Sequence, residues 1–224
     1  MMLIYSVRKI ISYIPLIIFI FSFFISANPN DAASITNAFK TSNNSVDRRE
    51  LLTSLRNYAP EEGEKTPAWI IDLLGEALKD NNPVVVAEAV FQVGEFKVTE
   101  YNDELVQLYK DAESKYQHCG YAERVRFSII PALGKIGNSE TKAFVADLLR
   151  YDNGSYMGQF LLEAVKSFND PSFINDLKIY KYKMQSFIQS SKDKGHNPII
   201  YSRKLFYLEF ASAIEKDLQL MGGK

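Results

Sequence analysis

The chain has 224 residues, 46% of them hydrophobic and 24% charged, enough for one packed domain and a leader. Its 26 basic and 27 acidic side chains nearly cancel; the first 27 residues hold only Arg8 and Lys9, so the remainder has 24 against 27. That weakly acidic body lacks the basic field of a sequence-independent nucleic-acid binder, and the single cysteine, Cys119, excludes an internal disulfide or a site needing two thiolates.

The chain opens on Arg8 and Lys9, continues as an apolar run over residues 10–25, and ends that run on Ser26 and Ala27. Positive charge, apolar stretch and small residue in that order form the layout of a signal peptide, with cleavage expected after Ala27. The alternative is an uncleaved anchor, since residues 10–27 approach the roughly 20 apolar residues a spanning helix needs. Pro15 breaks such a helix and leaves a run of signal-peptide length, Leu16 to Ile25. No cysteine follows the run, so there is no lipid attachment site. Arg8 and Lys9 precede it, which predicts an exported body, periplasmic or extracellular, with membrane association through residues 10–27 if the leader is retained.

Residues 28–45 are rich in Asn, Ser, Ala and Thr and read as a flexible tether, with a short helix near residues 32–39. From residue 46 to the end, apolar residues recur at spacings of three and four, with few strand signals. Leu51, Leu52 and Leu55 share one helical face. After a charged loop at residues 61–66, Pro67 opens a helix lined by Trp69, Ile70, Leu73, Leu74 and Leu78. The Asp80-Asn81-Asn82-Pro83 turn starts another, with Val85, Ala89, Val90, Val93 and Phe96 as its stripe.

Asp103 begins the next helix, and a loop through His118-Cys119-Gly120 leads to Val125, Ile129, Leu133 and Ile136. Asn138 caps a helix carrying Phe144, Val145, Leu148 and Leu149. Asp152-Asn153-Gly154 turns the chain into a helix lined by Phe160, Leu161, Ala164, Val165 and Phe168, and Asn169-Asp170-Pro171 turns it again. Two last helices run over about residues 171–190 and 198–220. Helix, short turn, helix, longer link, repeated several times, predicts an all-α stack in which each hairpin must bury its apolar face on a neighbour.

Three second helices align: residues 85–96, residues 125–137 and, more loosely, residues 157–168, at offsets of 40 and 32. The middle one carries Val125-Arg126, small residues in mid-helix, and Leu133-Gly134-Lys135-Ile136-Gly137. It resembles the second helix of a HEAT repeat, above all the short variants of bacterial proteins and of phycobilisome lyases. The resemblance covers about residues 67–190 and implies an α-solenoid of about four hairpins over residues 46–224.

Such repeats carry an Asp five residues before the Val. Asp80 and Asp152 keep it and Gly120 replaces it; the Arg survives at Arg126, with Val86 and Gly158 at the matching places. The resemblance implies an ion pair between Asp80 and Arg126. Gly94 and Gly134 near helix ends are expected to allow close approach and a left-handed cap.

No constellation demands chemistry. His118 and Cys119 are adjacent, a poor arrangement for nucleophile and base, and only His196 could add a second imidazole for a metal. Glu61-Glu62 and Asp103-Glu104 suit loop tips and first helical turns. The alternating Lys178–Lys183 segment points its bases and rings in different directions on a helix, as a solvated face does.

No cofactor is implied. The expected function is therefore a non-enzymatic interaction module, its unknown protein or peptide partner lying on the concave face of the second helices. Glu88, Gln92, Glu95, Arg124, Lys135, Gln159, Glu163 and Lys166 are the polar residues expected there. The alternatives are a membrane-tethered structural element and, through the resemblance alone, a chromophore-lyase activity that an export leader disfavours.

Overall fold

Side-chain caps fix where the helices begin. Asn44 accepts a hydrogen bond from the backbone N–H of Val46, Asn82 from Val84, Asn138 from Thr141 and Asp170 from Ser172. Each such cap stabilises its helix by about 1 kcal/mol. Pro83 then sits in the first turn, where its missing N–H costs nothing.

The computed structural model describes residues 29–61, 63–116, 118–191 and 197–222. The expected leader, residues 1–27, lies outside them. The described residues form ten α-helices and no strand: α1 (Pro29–Thr41), α2 (Ser45–Ser54), α3 (Ala68–Leu78), α4 (Pro83–Glu95), α5 (Asn102–Lys115), α6 (Cys119–Ile136), α7 (Ser139–Tyr151), α8 (Gly158–Phe168), α9 (Ile174–Ser191) and α10 (Pro198–Gly222). Each odd helix pairs with the even helix after it, and the even helices α2, α4, α6, α8 and α10 pack on one another in chain order. One apolar core runs through the stack, from Phe39 and Leu52 to Ile214 and Leu218.

The pairs number five, not about four. The expected tether is the reason: α1 covers most of it and forms the first half of a hairpin with α2. Phe39 is buried and Ile35 packs beside it, which closes the end of the core that α2 and α3 would otherwise leave open. The loop expected through residues 118–120 is shorter too, because α6 already begins at Cys119.

The even helices come unusually close at two points. A Cβ built on Gly94 of α4 would stand 2.7 Å from the Cα of Ala132 in α6. One built on Gly134 of α6 would stand 2.6 Å from the Cα of Ala164 in α8. Glycine faces alanine both times, one helix further along. The left-handed caps fall elsewhere, at Gly137 (φ +75°) after α6 and Asn169 (φ +51°) after α8, with Lys97 (φ +51°) following α4. Gly94 and Gly134 therefore serve packing, and the cap expected of them is a correction: both lie inside their helices, and the chain leaves those helices two to three residues later.

Asp80 and Arg126 do not pair. Arg48 of α2 donates to both oxygens of Asp80, from Nε at 2.7 Å and Nη2 at 3.0 Å. Arg126 donates instead to the Tyr109 carbonyl at 3.1 Å and to Glu113 at 3.3 Å. The turn aspartate thus reaches back to the preceding even helix, not forward to the next. Arg48 stands four residues after its cap Asn44, as Val86 does after Asn82. On that register the Val86 and Gly120 replacements are two halves of one lost pair.

Further ion pairs join successive hairpins: Lys40–Glu76 and Lys142–Asp170, both at 2.8 Å, and Arg150–Asp176 at 2.5 Å. Lys142 and the two hydrogen bonds from Ser172 hold the Asp170 carboxyl down at about 2.

Two outcomes follow from these contacts. Gly94→Ala and Gly134→Ala each gain about 1 kcal/mol of helix propensity but drive a methyl into backbone, so urea unfolding is expected to show a net loss of about 1–3 kcal/mol. Gly120→Ala, whose Cβ meets nothing within 4 Å, is the control and should match or exceed the parent. In acid, Asp170 contributes stability that is complete above its unfolded value near 3.8 and lost as pH falls through about 2. Asp170→Asn should flatten the fall of the urea midpoint between pH 4 and 2 relative to the parent.

Candidate functional site

The stack carries the polar residues the repeat pattern singled out on α4, α6 and α8, seven of them exposed or partly exposed and Gln92 buried. At its first half, Glu95 of α4 and Lys135 of α6 form an ion pair across the Gly94–Ala132 contact. Lys135 also lies 4.8 Å from the centroid of the Phe91 ring, and the Arg56 guanidinium lies 5.0 Å from the same ring. Phe91 is 37% exposed, a ring held at the surface between two cations. Within α8, Gln159 donates to Glu163 at 2.8 Å, one turn apart. Arg124 and Lys166 are exposed.

Gln92 departs from the expected groove position. Gln92 is wholly buried. Its Nε2 donates to Glu88 at 2.7 Å and its Oε1 has no donor among the described residues. Gln92 is an interior residue, and Glu88 serves as its acceptor.

At the second half, α6, α8 and α10 enclose a cleft of about 590 Å³ lined by Glu123, Phe127, Tyr156, Gln159, Phe160, Arg203, Phe206 and Tyr207. Phe127 and Phe160 stack face to face across α6 and α8, centroids 4.7 Å apart and planes 12° apart. Phe160 is half-buried: it packs against the core, as the spacing assigned it, and its ring also forms this wall. Phe206 is 49% exposed and Tyr156 68%. The Arg203 guanidinium lies 4.1 Å from the centroid of the Tyr156 ring. Its Nε and Nη1 are shielded from solvent and have no acceptor, and no carboxylate lies within ion-pair distance among the described residues.

The floor of this cleft is fixed by a buried polar knot. Tyr180 donates to Asp152 at 3.1 Å, and Gly158 leaves the room that the Tyr180 hydroxyl and the Tyr207 ring occupy. Buried Lys204 donates to the Asn153 carbonyl at 2.7 Å and lies over the Phe187 ring. Burial raises the Tyr207 phenol, which the Arg203 charge partly offsets. Burial, then the like charge of Arg203, pulls the Lys204 ammonium down.

The knot and cleft were not singled out from sequence. Tyr156 and Arg203 are far apart in the chain, and the last helix lacks a repeat pattern. The available signal was aromatic residues outside the apolar stripe, Tyr156 and Phe206. Elsewhere, His118 packs edge-on against Tyr121, centroids 5.9 Å apart. Tyr180 and Tyr182, read as a solvated face, divide: Tyr180 is buried and Tyr182 is 70% exposed. No three His, Cys, Asp or Glu side chains converge as metal donors among the described residues, and no helix there is long and apolar enough to cross a membrane.

Residues 71–166 match the family model of HEAT repeats, from within α3 to within α8. No curated protein matches the chain, and no solved structure matches it. Arg203, Phe206 and Tyr207 lie beyond the matched segment.

The orphaned carbonyl of Gln92 gives a direct measurement. A buried unsatisfied acceptor costs about 1–3 kcal/mol, and an apolar residue of similar size removes it. Gln92→Met is expected to raise unfolding stability by about 1 kcal/mol in urea titration. A groove-facing glutamine would leave the midpoint where it was.

Proposed function

We propose that this chain is an exported, non-enzymatic binding module that holds a protein or an extended peptide along the face of its even-numbered helices, in the periplasm, cell envelope or outside the cell. The carrying observation is the row of surface rings and cations on that face: Phe91 between Arg56 and the Glu95-paired Lys135, then the aromatic cleft with Arg203, which meets no carboxylate among the described residues. Rings and arginines held rigidly at a surface are the side chains that dominate protein interfaces. HEAT repeats commonly mediate protein–protein interaction, and their family is typically a non-enzymatic scaffold. Export rests on the leader layout of residues 1–27.

A second reading is favoured by the length of the same apolar run: an uncleaved leader would tether the stack to a membrane as a structural element. Intact mass of the protein purified from its native envelope separates the two. Loss of residues 1–27 is the expected result; a full-length mass would establish tethering.

Binding is tested by capture from envelope extract with three baits: the parent, a Phe91→Ala/Lys135→Glu double variant on the even face, and Lys178→Glu on exposed α9 as a control. The parent and control should retain the same partner, and the double variant should lose it by about ten-fold or more, a loss of the size expected of an interface hot spot. Equal retention by all three, or nothing above a bead control, would remove this reading.

A further inference from the structure

Arg203 is the one arginine among the described residues whose guanidinium has two donors shielded from water and unmatched. Arg48, Arg126 and Arg150 all meet carboxylates. A guanidinium keeps its charge under all ordinary conditions, so it cannot relieve this arrangement by losing a proton. Leaving its donors unmade costs more than a neutral orphan, and the gain from an acceptor of opposite charge is correspondingly larger. The Tyr156 ring lies over the guanidinium from one side and is itself 68% exposed, while Lys204 is tied to the Asn153 carbonyl, so an acceptor reaches the shielded donors by displacing that exposed ring.

Around this charge the cleft is apolar and aromatic. Phe127 and Phe160 make a stacked wall, Phe206 stands at the rim, and Tyr207 closes the floor. Glu123 lines the same cleft, is exposed, and makes no ion pair with Arg203. Gln159, already bonded to Glu163, adds an amide at the edge. The walls are built by three even helices in succession, so a ligand lying across them would be extended.

We propose that the α6–α8–α10 cleft binds an extended peptide through an acidic side chain placed on Arg203, with aromatic or aliphatic neighbours of that acid lying on the Phe127–Phe160 wall and on Phe206. This deepens the binding-module reading and rests on it for the peptide class. It assigns the specificity to residues beyond the segment that matches HEAT repeats.

The probes are three synthetic peptides: acetyl-Ala-Phe-Glu-Phe-Ala-amide, the same peptide with Gln for Glu, and acetyl-Ala-Phe-Phe-Ala with a free C-terminal carboxylate. Each is titrated into ¹⁵N-labelled protein, following the Arg203 Nε–H resonance, which is assigned by its loss in Arg203→Lys. The Glu peptide should move that resonance and bind roughly ten-fold or more tightly than the Gln peptide, the ratio expected of a charge-assisted hydrogen bond. Arg203→Gln should erase the preference, and Phe206→Ala should weaken both peptides alike.

Stronger binding by the free-carboxylate peptide than by the Glu peptide would overturn the side-chain assignment in favour of a chain terminus. Equal binding of the Glu and Gln peptides, an unmoved Nε–H, or no binding of any peptide at millimolar concentration would overturn the proposal. If Arg203→Gln does not fold, the parent resonance alone decides between the Glu and Gln peptides. A partner captured equally by parent and Arg203→Gln baits would sink this inference while leaving the broader reading intact; an empty capture beside a clear Glu preference would do the reverse.

Discussion

The stack depends on two glycines that let backbones touch. Gly94 meets the Cα of Ala132, and Gly134 meets the Cα of Ala164, so α4, α6 and α8 are drawn together at successive steps. A helix pair that close has no room for larger side chains, and its other contacts are set by that distance. Glu95 and Lys135 meet across it. The parallel stacking of Phe127 on Phe160 spans the pair that Gly134 and Ala164 hold together. The same constraint therefore shapes both the core and the face that carries the proposed function.

Around this apolar spine, polar turns tie the second and fifth hairpins to the one before. Asp80 shows the rule: it caps its own turn through the Asn82 N–H at 2.7 Å and takes the guanidinium of Arg48 from the preceding even helix. The pattern accounts for what the second and third hairpins lack. With Val86 in the arginine place, an aspartate at residue 120 would have no partner, and glycine stands there. Arg126 and Asp152 both persist one step on; each acts on the Tyr109 phenol, in opposite senses, but Asp152 is bonded to Tyr180 and Arg126 to Glu113. Repeat degeneracy in this chain is thus correlated across hairpins, as expected when each step is a nearest-neighbour interface.

Much of this was legible residue by residue. Caps such as Asn82 and Asn138 act within three residues of themselves, so sequence reveals them. Gly94, Gly134 and Ala132 were legible as small residues, because close packing leaves few alternatives, whereas Ala164 read only as a member of an apolar stripe. The partner of Asp80 was not, since a spacing of five to Val85 says nothing about which neighbouring helix faces the turn. The terminal helix α1 was understated for a related reason. Its composition is polar, and only Ile35 and Phe39 touch the core, too few to make a visible stripe.

By itself the sequence determined the all-helical class, the turn positions and the repeated pairing of helices, all consequences of local propensity and 3.6-residue periodicity. Tertiary structure decided the number of hairpins, the direction in which turn aspartates pair, and the fate of each polar residue on the even helices. It alone assembled the cleft, whose walls come from Phe127, Phe160 and Phe206 and whose charge comes from Arg203. Those side chains lie dozens of residues apart and on helices of unlike sequence, so nothing in local spacing records that they meet. They meet because the stack sets α6, α8 and α10 side by side.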